Sequence, residues 1–229
     1  MVKKRKNITI TIDGPAGSGK STLAKDLAKK LDFFYLNTGL MYRAMTLNVL
    51  EKKKSVESES DCLDVLNEMF FSLEKEKNEL SELLLNGRKI SHLVKTELVD
   101  KNVSIASKHK GVRKLMVEKQ RSLAENKNII VEGRDAGSVV FPDADVKLFV
   151  VASVEARAKR RYEEYLRKGM DVDYNEILDD MKKRDFLDSH RKNSPLVKPE
   201  GAIEIDTSNL TVESQLELAL KIIKERINA

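Results

Sequence analysis

The segment Gly14-Pro15-Ala16-Gly17-Ser18-Gly19-Lys20-Ser21-Thr22 constrains this chain more than any other. It matches the pattern Gly-x-x-x-x-Gly-Lys-Ser/Thr in full, and it stands where the mechanism of that pattern requires. Ahead of it runs Ile8-Thr9-Ile10-Thr11-Ile12, a β-branched strand closed by Asp13-Gly14-Pro15. Behind it, from Lys20 to Leu31, Leu23, Ala24, Leu27, Ala28 and Leu31 recur at helical spacing. A glycine-rich turn between a strand and a helix wraps its backbone N–H groups around a phosphate, and the helix adds its positive end. In such a loop Lys20 reaches the β- and γ-phosphates and Ser21 ligates Mg²⁺, so Gly14 to Thr22 are the expected ATP contacts. A chance Gly-rich turn would not need that context.

The rest of the chain alternates strands with helices. Phe33 to Leu36 reads as a second strand, with Asn37 or Thr38 capping a helix from about Leu40 to Lys52. Residues 52–61, rich in Lys, Ser and Glu, read as a solvated loop. Short apolar pieces then flank Asn86-Gly87, the strongest short-range hairpin signal, which places a small antiparallel patch at about 69–92. Helices are expected over Glu97–Lys108 and Val112–Glu125, and strands at Ile129–Val131 and Val146–Val151. Ser153 caps a basic helix carrying Arg157, Arg160, Arg161 and Arg167, and Asp173 caps the next, to about Asp188. Ile203–Asp206 is the last strand, and Thr211 opens the final helix. This order implies an α/β fold, a parallel sheet covered on both faces, in a single domain over residues 1–229. No internal repeat or linker divides it.

Composition excludes several classes. With 229 residues, 41% hydrophobic and 34% charged, the chain can bury a core without disulfides or structural metal. Cys62 is the single cysteine, so an intramolecular disulfide and a cysteine-based zinc site are ruled out. His92, His109 and His190 lack metal-ligand spacing. The basic start (Lys3, Lys4, Lys6) leads into an apolar run too short for a secretory signal, and no stretch approaches the ~20 apolar residues of a membrane helix. A cytoplasmic location is expected, with no membrane partner. The net charge of +5 admits nucleic acid, an anionic membrane or small phosphorylated ligands. Absent tryptophan and 5% aromatics argue against a base-stacking platform. Composition alone does not choose among these partners; taken with the motifs and the resemblance below, small-molecule nucleotides are the expected partners, not nucleic acid, and a monomer is the expected form.

The phosphate loop alone leaves hydrolysis and transfer open. Arginine supply discriminates, because bringing two polyanions together takes several planar, permanently charged forks. Arg43, Arg113, Arg134, Arg157, Arg161, Arg184 and Arg191 fall near expected element ends or on basic helices. For Arg157 to Arg161 a solvated helix face is an equally good reading. The competing class is an ATPase that binds nucleic acid through its basic helices.

Several blocks together resemble one family. Asp13–Thr22, Tyr35-Leu36-Asn37-Thr38-Gly39-Leu40-Met41-Tyr42-Arg43, Gly133-Arg134-Asp135-Ala136-Gly137-Ser138-Val139-Val140-Phe141-Pro142-Asp143-Ala144, Arg184-Asp185 with Asp188 and Arg191, Ser194-Pro195-Leu196 and Ile205-Asp206-Thr207-Ser208 stand in the order seen in bacterial cytidylate kinases. The resemblance covers nearly the whole chain. The block from Gly133 to Ala144 is much more specific than the loop.

The resemblance implies a P-loop nucleoside monophosphate kinase moving the γ-phosphoryl of ATP to CMP or dCMP with Mg²⁺. It implies a five-stranded parallel core, a monophosphate-binding insert at about 62–98 with a small antiparallel sheet, and a helical lid at about 155–190. By resemblance Arg43, Arg134 and Arg191 grip the CMP phosphate, Thr38 joins the CMP site, and Asp188 and Arg184 contact ribose and phosphate. Ser104, Arg113 and Asp135 read cytosine, whose amine beside two acceptors suits a carboxylate beside Ser and Arg donors. Arg157 and Arg161 contact the donor phosphates from the lid. Lys20, Arg134, Arg184 and Arg191 are the expected catalytic set. The chain departs from the pattern at Asn37, where an acidic residue is usual, at Lys95, where arginine is frequent, and at Asp32, Leu187 and Ser189.

Overall fold

The computed structural model describes residues 7–190 and 192–227. Arg191, Lys3, Lys4 and Lys6 lie outside them. Five parallel strands form the main sheet: β1 (Thr9–Asp13), β2 (Phe34–Asn37), β6 (Ile129–Gly133), β7 (Val146–Val151) and β8 (Ile203–Asp206). Their order is β2-β6-β1-β7-β8. Three further strands, β3 (Phe71–Glu74), β4 (Glu82–Leu85) and β5 (Arg88–Lys89), make a separate antiparallel sheet. The helices are α1 (Lys20–Leu31), α2 (Thr38–Glu51), α3 (Glu59–Asn67), α4 (Glu97–Ala106), α5 (Lys110–Ala124), α6 (Val154–Arg167), α7 (Tyr174–His190) and α8 (Val212–Ile227).

Alternation along β1 sends Ile10 and Ile12 to one face, where they meet Leu23, Leu27, Ile130, Leu148 and Ile223 from α1, the sheet and α8. The opposite face buries Leu36, Ile129 and Val131 against Met41 and Met45 of α2 and Met116 of α5. Ile129, Ile130 and Val131 are all fully buried, which is why β6 reads as a continuous apolar run. A smaller cluster of Ala158, Ile177 and Met181 joins α6 to α7.

Most local signals found their elements. Ser153 Oγ accepts from Ala156 N at 3.1 Å, Asp173 Oδ1 accepts from Asn175 N and Glu176 N, and Thr211 Oγ1 accepts from Ser214 N. Asn86 and Gly87 both have positive φ (49° and 77°), the mirror-image turn that matches strand twist. Asn37 rather than Thr38 caps α2, accepting from Leu40 N at 3.1 Å. The stretch read as loop over 52–61 is corrected at its end. Ser58 caps α3, whose first turn carries Glu59 and Asp61. A single π-helical turn over Ala136–Val140 was also not foreseen. Among the described residues no helix is long and apolar enough to cross a membrane.

Candidate functional site

Parallel sheets of this kind bind ligands beyond the carboxyl ends of their strands, where the strand order reverses. Chain movement from β1 outward to β2, and later from β6 across to β7, makes the end of β1 such a point. Register places the strand ends side by side: Asp13 opposite Gly133 and Phe149, Asn37 opposite Glu132, and Val151 opposite Asp206. The phosphate loop, Thr38 and Arg134 follow directly from the ends of β1, β2 and β6.

The loop from Gly14 to Gly19 leaves β1 against the backbone of β7. A Cβ at Gly14 would lie 2.0 Å from Val150 O, so only glycine passes there. Lys20, at 7% exposure, donates from Nζ to Pro15 O at 3.0 Å, folding its ammonium over the loop. Burial, reinforced by the charge of Arg134, lowers the Lys20 pKa to about 7, while Glu132 works the other way. Ser21 and Thr22 occupy the first turn of α1. Thr207, just past β8, supports the loop by donating from Oγ1 to Ser18 O at 2.9 Å.

Asp13 connects this loop to the turn after β6. Its Oδ1 accepts from Ala136 N at 2.8 Å and its Oδ2 from Gly137 N at 2.7 Å. The carboxyl is fully buried, and that burial raises its pKa to about 6 against the pull of both backbone N–H groups. Gly137 is required by proximity, since a Cβ there would lie 2.6 Å from Thr11 Oγ1. Thr38 fixes the other side of the turn, donating from Oγ1 to Glu132 O at 2.8 Å.

The arginines converge from three helices and the turn after β6. Arg134 follows β6 and donates from Nε to Asp188 Oδ2 on α7 at 2.8 Å. Arg184, one turn earlier on α7, is held below its usual pKa by burial first and then by Arg134, with Arg43 and Arg161 adding to the repulsion. Arg134 and Arg184 also depress Lys20. Lys20, Arg134, Arg184, Arg43 and Arg161 therefore share one electrostatic neighbourhood, which Asp188 and Glu132 only partly balance. Arg43 pairs with Asp100 and reaches Val94 O at 3.4 Å.

Arg157 is differently committed. At 4% exposure it donates to Ala152 O, to Ala16 O of the phosphate loop at 3.1 Å, and through both terminal nitrogens to Asp185 of α7. It latches α6 and α7 to the loop. Arg161 is more open, near Glu164 at 3.6 Å and the Tyr165 ring.

Arg113 and Asp135 form a buried ion pair, each 5% exposed. Ser104 stands exposed on α4, one turn past Asp100. The structure thus brings Arg113 and Asp135 together, and separately Lys20, Arg134, Arg184 and Asp188.

Two buried groups escaped the sequence reading. Glu132, at 2% exposure, accepts at Oε1 from Tyr35 Oη at 2.8 Å and from Asn37 Nδ2. Its Oε2 has no hydrogen-bond partner among the described residues. Burial, then the charge of Glu132, raises the Tyr35 pKa far above its usual value, so Tyr35 stays a donor. The available signal was a charge closing an apolar strand, Ile-Ile-Val-Glu. Gln215 of α8 is the second, its Oε1 3.2 Å from where a Cβ at Gly19 would lie.

For a divalent cation the chain offers hard oxygens but no cage. Among the described residues no group of three His, Cys, Asp or Glu side chains converges. Ser21, in the first turn of α1, is the oxygen donor the phosphate loop offers. That suits Mg²⁺, which keeps several waters and takes few protein ligands beside substrate phosphates.

Known proteins agree with this architecture. The family model described as cytidylate kinase matches residues 10–225. A cytidylate kinase of Caldanaerobacter subterraneus subsp. tengcongensis is 48% identical over 218 residues, 95% of either chain. One of Geobacillus sp. (strain WCH70) is 42% identical, covering 97% of this chain and 99% of its own. Among solved structures, a gluconokinase from Sinorhizobium meliloti 1021 superposes with a TM-score of 0.51 at 13% identity, over 98% of this chain and 97% of that one, a likeness of fold alone.

Proposed function

The chain belongs to the cytidylate kinase family, and from that premise we propose that it transfers the γ-phosphoryl group of ATP to CMP or dCMP, giving ADP and CDP or dCDP. The observation that carries this reading is the convergence of Lys20, Arg134 and Arg184 at the carboxyl edge of the sheet. Beyond the effect of burial, the charge of Arg134 lowers the pKa of both Lys20 and Arg184, and Arg184 adds to the effect on Lys20. Such a cluster is unfavourable by itself and becomes favourable around two polyanions.

The backbone N–H groups from Gly14 to Thr22 and the Lys20 ammonium hold the donor phosphates. Arg43, Arg134 and Arg191 grip the acceptor phosphate, with Arg184 and Asp188 on ribose and phosphate and Thr38 ordering the turn beside them. Asp135 accepts from the cytosine amine while Arg113 and Ser104 donate to its acceptors. Uracil would set an acceptor against Asp135. Arg157 holds the lid, about 155–190, on the loop at Ala16, and Arg161 faces the shared cationic space. The insert at about 62–98 lies on the acceptor side.

No side chain has to act as a strong base, because the acceptor is already a phosphate dianion near neutral pH. Alignment and charge neutralisation supply the catalysis, and lid closure keeps water from the γ-phosphoryl. Ser21 would hold Mg²⁺, which would supply neutralisation of phosphate charge. The test is a coupled ADP-release assay with CMP, dCMP, UMP and AMP at fixed ATP. Release with CMP or dCMP above the others is expected, and AMP above CMP would sink the reading.

A further inference from the structure

Arg113 is gripped at three points. Its Nη2 pairs with Asp135, its Nη1 donates to Ser107 O at 3.2 Å, and its Nε donates to Ser194 Oγ at 3.1 Å. The Tyr42 ring flanks the guanidinium, its centroid 5.4 Å from Cζ. Ser194 comes 81 positions after Arg113, in the segment that follows the lid helix.

Ser194 has φ +50°, a left-handed conformation that disfavours residues with a side chain. Such a conformation persists where the surroundings over-determine it. Here they do. Asn193 Nδ2 donates to Lys108 O at 3.2 Å, and Leu196 N donates to Asp188 O at 2.8 Å. Asp188 in turn accepts from Arg134. The stretch 193–196 therefore spans the connection between α4 and α5, the buried Arg113, and the residue of α7 that holds Arg134.

We propose that Ser194 is a positioning residue for base selection. Its hydroxyl fixes Arg113 at Nε, so that Arg113 and Asp135 present one donor–acceptor edge, and it holds that edge in register with Asp188 on α7. This rests on Arg113 and Asp135 being the cytosine readers. Asp135 and Ser107 restrain only the terminal nitrogens. The Ser194 bond adds a third point, at the nitrogen about which the fork would otherwise pivot.

The test compares Ser194→Ala and Ser194→Gly with Arg113→Gln, using ATP with CMP and with UMP. In both Ser194 variants KM for CMP should rise about tenfold, the scale of one hydrogen bond to a charged group, with kcat changed less than about threefold. KM for ATP should stay near that of the unaltered protein, and the preference for CMP over UMP in kcat/KM should fall with the CMP term. A general loss of structure would move ATP and CMP together. Alanine keeps the backbone strain and glycine relieves it, so equal effects assign the loss to the hydroxyl. An unchanged KM for CMP in both variants, or an effect in alanine that glycine abolishes, overturns the inference. Arg113→Gln separates the two levels. If it leaves the CMP preference intact, the base-reading assignment fails and the inference with it. If it abolishes the preference while the Ser194 variants keep it, the inference alone fails.

Discussion

Arg134 Nε donates to Asp188 Oδ2 at 2.8 Å, and this bond joins the turn after β6 to the long helix α7. Each side chain is only 18% exposed. A residue at a strand end in the rigid sheet thereby meets one on a helix whose core is the small cluster of Ala158, Ile177 and Met181. Closure of α6 and α7 over the strand ends would act on this pair.

Replacing Arg134 by alanine removes a permanent charge from the shared cationic space and leaves the Gly14–Gly19 loop intact. Turnover with CMP should fall by about 10²- to 10³-fold, while ATP affinity changes less than about threefold. Steady-state kinetics beside a nucleotide-binding titration would check this. Near-unaltered turnover would remove Arg134 from the catalytic set.

Lys20 supplies a pH-dependent signature. Its pKa, lowered to about 7 by burial and Arg134, leaves the amine largely neutral at pH 8. A bound triphosphate favours the ammonium, so ATP binding at pH 8 should take up on the order of one proton, and much less at pH 6 where Lys20 is already charged. Calorimetry in buffers of different ionisation enthalpy reads this directly. Equal uptake at both pH values would contradict the placement of Lys20.

Asp13 gives a second dependence of opposite chemistry. Its pKa is raised from 3.8 to about 6, so between those values the folded protein binds more protons than the unfolded chain at this site. Its contribution to stability is therefore present below pH 4 and lost as pH rises through about 6. Asp13→Asn removes this slope. The stability difference between the variant and the parent protein should shift in the variant's favour by about 2 kcal/mol across that window. Urea unfolding at pH 4 and pH 6.5 measures it, and a constant difference would be the contrary result.

Asn37 occupies a position where the family pattern is usually acidic, and its Nδ2 donates to Glu132 Oε1. Asn37→Asp keeps the cap on Leu40 but sets a second carboxylate against a buried one. One of the two must then titrate at raised pH. The variant should lose stability relative to the parent as pH rises from 5 to 8, on the order of 1 kcal/mol or more. Thermal unfolding across that range decides it.

The sequence made visible what is set locally. The phosphate loop, the bounds of α1, the Asn86-Gly87 turn and the caps at Ser153, Asp173 and Thr211 depend on neighbours a few residues away. The π-helical turn at Ala136–Val140 was hidden because Asp13, more than 120 positions earlier, holds its first N–H groups. Pairings were hidden for the same reason. Arg113, Asp135, Arg134 and Asp188 each stood out, but which carboxylate meets which arginine depends on how strands and helices meet in space. The α3 start was masked by the charged run before it, although Ser58 ahead of Glu59 and Asp61 carried an N-terminal signature.

The most direct measurement follows label from [γ-³²P]ATP in the presence of Mg²⁺ and an equimolar mixture of CMP, UMP and AMP. The account predicts that the label accumulates in the β-phosphate of CDP, with little released as inorganic phosphate. Label appearing chiefly as inorganic phosphate, or in ADP or UDP formed from the other acceptors, would contradict it.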